Sequence, residues 1–176
     1  MKQWIKKWGG VGLFLVLFLA ALGGFIWFTS RPVELKTENL IPAETWESYP
    51  GTELSLELTK YKLSATFRNH SDMTFYHGDP PDYSGLEVLL EGTWYHVPHK
   101  DYATAGVGKD AGPGDNFTFE PILSPYGKLP DGQYRLSFGY WYDDPERDVP
   151  LRERPFYVSY ARFDVVKGVY AQPETP

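Results

Sequence analysis

The chain has 176 residues, no cysteine and a formal net charge of −6. Three of its 17 basic residues, Lys2, Lys6 and Lys7, and none of its 23 acidic ones fall in residues 1–30, so residues 31–176 carry −9. That balance excludes a nucleic-acid partner, which needs clustered cations against phosphate, and the missing cysteine excludes disulfides, thiolate metal sites and a thiol nucleophile.

Residues 1–30 predict an N-terminal transmembrane helix acting as a signal-anchor. Val11 to Phe28 is apolar or glycine throughout, and with Gly9 and Gly10 it reaches the ~20 residues that span a hydrocarbon core. Trp4, Trp8 and Trp27 flank the run as interfacial anchors, and the three preceding lysines place the N-terminus in the cytoplasm and the remainder outside. The competing reading is a cleaved signal peptide and a secreted product, with small residues for a protease in Leu19 to Gly24. The apolar run continues past that point through Phe28, which favours the uncleaved anchor in the cell membrane.

Residues 31–48 read as a linker, with Pro32 and Pro42 and little periodicity. Residues 49–168 read as one β-domain. Leu54, Leu56 and Leu58 alternate with polar residues, as do Leu63, Ala65 and Phe67, the period of a half-buried strand. Asn69 to Asp72 is a turn. Leu86, Val88 and Leu90 make the next strand, and Glu91-Gly92 turns tightly into Thr93 to Val97. A two-residue turn there sets Val88 opposite Tyr95 in the core, with Leu89, Trp94, Glu87 and His96 on the other face; a turn one residue longer would instead put Trp94 in the core. A Gly-rich loop, Asp101 to Asp115, precedes Phe117 and Phe119, and Gln133 to Tyr142 and Phe156 to Val166 complete about seven short strands. Residues 169–176 read as a disordered tail. The predicted fold is all-β, an immunoglobulin-like antiparallel β-sandwich preceded by one N-terminal transmembrane helix.

The stretch LPDGQYRLSFGYWY, Leu129 to Tyr142, carries the clearest fold signal. Asp131, Gly132 and Tyr134 have the layout of a tyrosine corner, in which a tyrosine two residues before a core position turns its hydroxyl back onto upstream backbone. Tyr134, Leu136, Phe138 and Tyr140 then share one face and Trp141 points the other way.

These motifs together resemble a bacterial Ig-like domain family. The resemblance lies in Asn69 in a turn, in Gly92, Trp94, Tyr95, Val97 and Pro98 around a hairpin, in the Pro113-Gly114 turn, and in Tyr126, Gly127, Leu129, Pro130, Gly132, Tyr134 and Arg135. It covers about Leu54 to Tyr140 and departs at Tyr140-Trp141-Tyr142 and the charged loop beyond. It implies an extracytoplasmic, membrane-anchored module of Gram-positive-type bacteria and no catalytic residue.

The residues themselves suggest no catalysis either. No Gly-x-Ser-x-Gly or Ser-x-x-Lys signature is present, and Gly106 to Gly112 lacks the spacing of a phosphate loop. His70, His77, His96 and His99 read as solvated rather than metal-bound, and Asp143 to Asp148 as a solvated hairpin tip facing Arg152 and Arg154 rather than a calcium loop. No cofactor is expected. The candidate binding residues are the indoles Trp94 and Trp141, both partly exposed if they leave from the outer face, with Asp143 and Asp144 beside them; the alternative is that a flanking loop covers one of the two. The expectation is a non-enzymatic binding module for a protein or a cell-envelope polymer. Two other readings stand beside it: a structural or sensory accessory acting through its helix on a membrane partner, and an envelope hydrolase, which a cleft with two converging carboxylates would favour.

Overall fold

Period-two alternation sends every second side chain to one face of a strand, and in the computed structural model it produces two antiparallel sheets packed face to face. The structure describes residues 16–22, 34–79, 84–101, 107–143 and 149–173. The chain divides into two units, Met1–Val33 and Glu34–Pro176. In the first, residues 16–22 are helical. Among the described residues no helix is long and apolar enough to cross a membrane; most of the span expected over residues 1–30 lies outside them.

The second unit is all-β. Its described strands are β1 (Thr52–Leu58), β2 (Leu63–Asn69), β3 (Phe75–Asp79), β4 (Ser84–Leu90), β5 (Thr93–His96), β6 (Val107–Ala111), β7 (Asn116–Phe119), β8 (Gly132–Tyr142), β9 (Phe156–Val166) and β10 (Val169–Ala171). The smaller sheet runs β1-β2-β7. In the larger sheet the long β8 is central. One side of it pairs with β9, which pairs with β10. Its other side pairs first with β4, from Gln133 to Phe138, and then with β3, at Trp141 and Tyr142. β5 extends β4, and β6 extends β3.

The core lies between the sheets. Tyr134, Leu136, Phe138 and Tyr140 of β8 are all buried against Leu54, Leu63, Ala65 and Phe67 of the smaller sheet. The Phe67 ring sits 4.9 Å from Phe138 and 5.0 Å from Tyr140; such aromatic pairs each contribute about 0.5–1.5 kcal/mol beyond their buried area. The turn after β4 has positive φ at both central residues, 51° at Glu91 and 81° at Gly92, as a type I′ hairpin requires. The register is therefore Val88 opposite Tyr95 and Leu89 opposite Trp94, which places Trp94 on the outer face.

Four expectations need correction. Residues 31–48 are not merely a linker: from Glu34 the chain belongs to the folded unit, and Leu40 is part of its core. Val169–Ala171 are not a disordered tail: a second tight turn, φ 53° at Lys167 and 72° at Gly168, folds them back as β10, where Tyr170 meets Phe163 edge-on at 5.6 Å. β6 forms inside the Gly-rich loop, held by its backbone pairing with β3 rather than by side-chain burial, since only Ala111 of its five residues is buried. His77, on β3, is not solvated; it stacks on Phe117 at 4.3 Å and its Nδ1 lies 2.7 Å from the Gly78 carbonyl oxygen.

Candidate functional site: the strapped outer face

Asp131, Gly132 and Tyr134 make a structural corner. The Tyr134 ring is fully buried, and its hydroxyl donates to the Pro130 carbonyl four residues upstream at 2.8 Å. Burial pushes the phenol well above its ordinary pKa, and the Asp131 charge adds to the effect. Asp131 in turn accepts from the Gly168 amide at 3.2 Å. The corner thus ties the start of β8 to the β9–β10 turn.

The outer face of β8 is where the molecule departs from a simple sandwich. Arg135, Ser137 and Trp141 alternate with the core residues and would face water on a one-sided sheet, yet all three are buried. Residues 41–48 cover this face as a strap. At the β5 edge, the Ile41 carbonyl accepts from His96, Pro42 bridges to Tyr95, and the Ala43 amide donates to the Trp94 carbonyl. The chain then crosses the sheet. The Trp46 amide donates to the Tyr160 hydroxyl at 3.1 Å, and at β9 the Val158 amide donates to the Glu47 carbonyl while the Ser48 hydroxyl donates to the Val158 carbonyl. Both ends of the strap are anchored, by Leu40 in the core and by Tyr49 against Phe75 and Tyr157.

Beneath and beside the strap lies a buried polar belt. Cross-strand register sets Glu87, Arg135 and Arg162 side by side. Arg135 Nε donates to Glu87 Oε2 at 2.5 Å, and both side chains are nearly inaccessible. The guanidinium is sandwiched between rings, 4.6 Å from Trp94 and 4.0 Å from Tyr160, and Arg162 approaches Trp94 at 5.7 Å. Each such contact contributes about 0.5–2 kcal/mol. Arg135 Nη2 is buried with no hydrogen-bond partner among the described residues. The Tyr160 phenol is pushed up mainly by burial.

Between strap and sheet is a cleft of about 380 Å³. Ile41, Pro42, Glu44 and Trp46 wall it from the strap side; Gly85, Glu87, His96 and Ser137 form its floor, and Phe156, Val158 and Tyr160 its far wall. The floor is open at Gly85 and Ser137, whose side chains are small. Ser137 Oγ closes on Gly85, accepting from its amide at 3.0 Å and donating to its carbonyl at 3.2 Å, and a Cβ at Gly85 would sit 2.9 Å from that oxygen.

The four binding residues expected from sequence are not brought together. Trp94 is half-buried, its ring held between two arginines. Trp141 is only 8 % exposed, packed on Phe156 at 4.9 Å, so of the two alternatives for it the covered one holds. Eight residues of β8 separate Trp141 from Gln133, which lies in register with Leu89 and so with Trp94, a span of about 26 Å. Asp143 is half-buried and paired with Arg154, its amide bonded to the Thr74 carbonyl at 2.9 Å; Asp144 lies outside the described residues. Among the described residues no group of three or more histidines or acids is placed to hold a metal ion. What sequence reasoning missed was the strap, with Trp46, and the belt role of Arg135. The available signal was an arginine between Tyr134 and Leu136 in a strand of mostly apolar residues; its pairing with Glu87 depends on the β4–β8 register, which the hairpin does not fix.

Compared with family models, curated proteins and solved structures, the chain matches none.

Proposed function

We propose that this chain is a membrane-anchored, extracytoplasmic binding module of immunoglobulin-like fold, that it has no catalytic activity, and that its ligand, a protein or cell-envelope component, engages the strapped outer face. The observation that carries the reading is the cleft itself. A sheet face covered only to exclude water would be filled with apolar side chains; this one keeps a cavity bounded by aromatic walls, carboxylates and hydroxyls, the composition of a small-ligand or side-chain pocket. Support for the immunoglobulin-like fold comes from the central β8, the tyrosine corner at its start and the pairing of β2 with β7 opposite it. Support for the location comes from the uninterrupted apolar run from Val11 to Phe28 behind three lysines.

Photo-crosslinking in intact cells tests this. A photoreactive residue at Ile41, which is exposed on the strap, should capture a surface partner, and Trp46→Ala should abolish the capture. Capture from Tyr61 on the β1–β2 hairpin and not from Ile41 would place recognition elsewhere. A second reading has one observation in its favour: Glu44 and Glu87 both line the cleft, as a two-carboxylate hydrolase would need. Release of reducing ends from isolated cell envelopes, lost in Glu44→Gln, would establish it.

A further inference from the structure

We propose that one end of the β-domain, with Tyr61 at the tip of the β1–β2 hairpin, docks on the lipid headgroups of the membrane that holds the anchor. The proposal rests on the anchor reading and goes beyond it, since an anchor alone leaves the domain free to point in any direction.

Strand direction fixes what this end contains. β8 starts there at Gly132, and Val165, opposite Gly132, leads into the Lys167-Gly168 turn. β4 runs antiparallel to β8 and so finishes at the same end, with Leu89 opposite Gln133 and the Glu91-Gly92 turn just beyond. In the smaller sheet Thr52, the first residue of β1, bonds the Tyr140 hydroxyl near the other end of β8. From there β1 runs back over the core for about 20 Å, the distance along β8 from Tyr140 to Tyr134. Lys60, Tyr61 and Lys62 therefore emerge beside the start of β8.

Chain length brings this end to the membrane. Leu35 and Lys36, where the chain enters the fold, share a hollow with Leu90 and Glu91 of the β4–β5 turn. Only residues 29–33 separate Glu34 from Phe28, the last residue of the apolar run, and at full extension that stretch reaches at most about 20 Å. Tyr142, at the other end of β8, lies ~33 Å further along the strand.

The surface has the composition of an interfacial contact. Six large hydrophobic residues of the β-domain stand exposed among the described residues, and Tyr61, Ile122 and Val166 are three of them. Val166 precedes the Lys167-Gly168 turn, and Ile122 lies two residues past Glu120, the partner of Lys62 at 3.3 Å. Tyr61 is 72 % exposed, with the Lys60 ammonium 5.0 Å from its ring. A tyrosine ring suits the headgroup level of a bilayer, and a lysine lays its stem along apolar surface while its ammonium reaches phosphate. Lys128, beside Gly168, and Lys167 are exposed at the same end. The segments that form it, residues 34–39, 59–62, 91–92, 120–131 and 167–168, hold five lysines and five acids. The −9 of residues 31–176 is therefore carried elsewhere, and this end meets an anionic lipid surface without net repulsion.

The test uses the full chain in nanodiscs of phosphatidylcholine and phosphatidylglycerol. The chain has no cysteine, so a single introduced one carries an environment-sensitive fluorophore, at Lys60→Cys, at Asp72→Cys in the turn at the opposite end of β2, or at Leu17→Cys in the apolar run. Quenching is read against headgroup-nitroxide lipid for the first two and acyl-chain nitroxide lipid for the third. The fluorophore at residue 60 should lose most of its emission and the one at residue 72 none. Tyr61→Ser, an exposed change that leaves the fold intact, should restore the emission at residue 60. No quenching at residue 60, equal quenching at residues 60 and 72, or quenching at residue 60 that Tyr61→Ser leaves unchanged would each overturn the docking, while quenching at residue 17 keeps the anchor reading standing. No quenching at residue 17 would overturn the anchor reading itself and the docking with it.

Discussion

Glu87→Ala is the sharpest perturbation of the polar belt. Glu87 and Arg135 are both almost wholly removed from water, 3 % and 5 % exposed, and among the described residues Arg135 has no other acid bonded to it. Removing the carboxylate leaves a guanidinium buried between Trp94 and Tyr160 with no counter-ion. Breaking one partner out of a buried ion pair costs about 3–5 kcal/mol. The two ring contacts survive the substitution and hold the cation in place, so the lower half of that range is the expected value. Replacing both partners at once, Glu87→Leu with Arg135→Met, should recover most of the loss, because the desolvation cost of both charges disappears with them. Urea unfolding of residues 34–176 measures both variants against the parent chain. A loss under ~1 kcal/mol for Glu87→Ala would mean that Arg135 reaches water, and the belt would then be a surface feature rather than a buried one.

Trp141→Ala should cost about 3–5 kcal/mol, the range for emptying a buried aromatic site; a change within ~0.5 kcal/mol, as at an exposed site, would mean that Trp141 lies at the surface. Tyr134→Phe should cost about 1–3 kcal/mol by leaving the Pro130 carbonyl without its donor. Burial raises the Tyr134 phenol in the folded state above its ordinary value of about 10, so the folded form holds a proton that the unfolded form releases. Stability is therefore full below about pH 10 and falls as pH rises beyond it, and Tyr134→Phe should flatten that alkaline decline. Hydrogen exchange should show the Ala43 amide opening well before that of Leu136, since a strap with mostly exposed side chains unfolds locally; equal protection would make strap and sheet one cooperative unit.

Strands that bury alternate side chains on one face were legible in the sequence. β8 and β9 follow from runs of large residues at every second position, and Glu91-Gly92 fixed a register that in turn put Trp94, Glu87 and His96 outside. β3 and β6 were illegible for a physical reason. Phe75–Asp79 and Val107–Ala111 carry glycine and charge where a half-buried strand would alternate, and they exist because each supplies the other's backbone partners beside β8. The burial of Trp141 was not legible because alternation decides which face a side chain leaves from, not what lies over that face. Here Phe156, directly opposite in register, covers it.

The strap shows the same limit from the other side. Ile41 to Ser48 has no periodicity because it is neither helix nor full strand: it borrows hydrogen bonds from β5 at one end and β9 at the other, and between them Trp46 is the large ring set against the sheet. A strap of that kind does two things that a third layer of secondary structure would not. It closes enough of the outer face to make the Glu87–Arg135 pair a buried one, which makes the pair strong and costly to disturb. It also leaves the floor at Gly85 and Ser137 unfilled, because an extended segment has one side chain per ~3.3 Å and only every second one can point down. The buried charge and the open cleft thus have one cause.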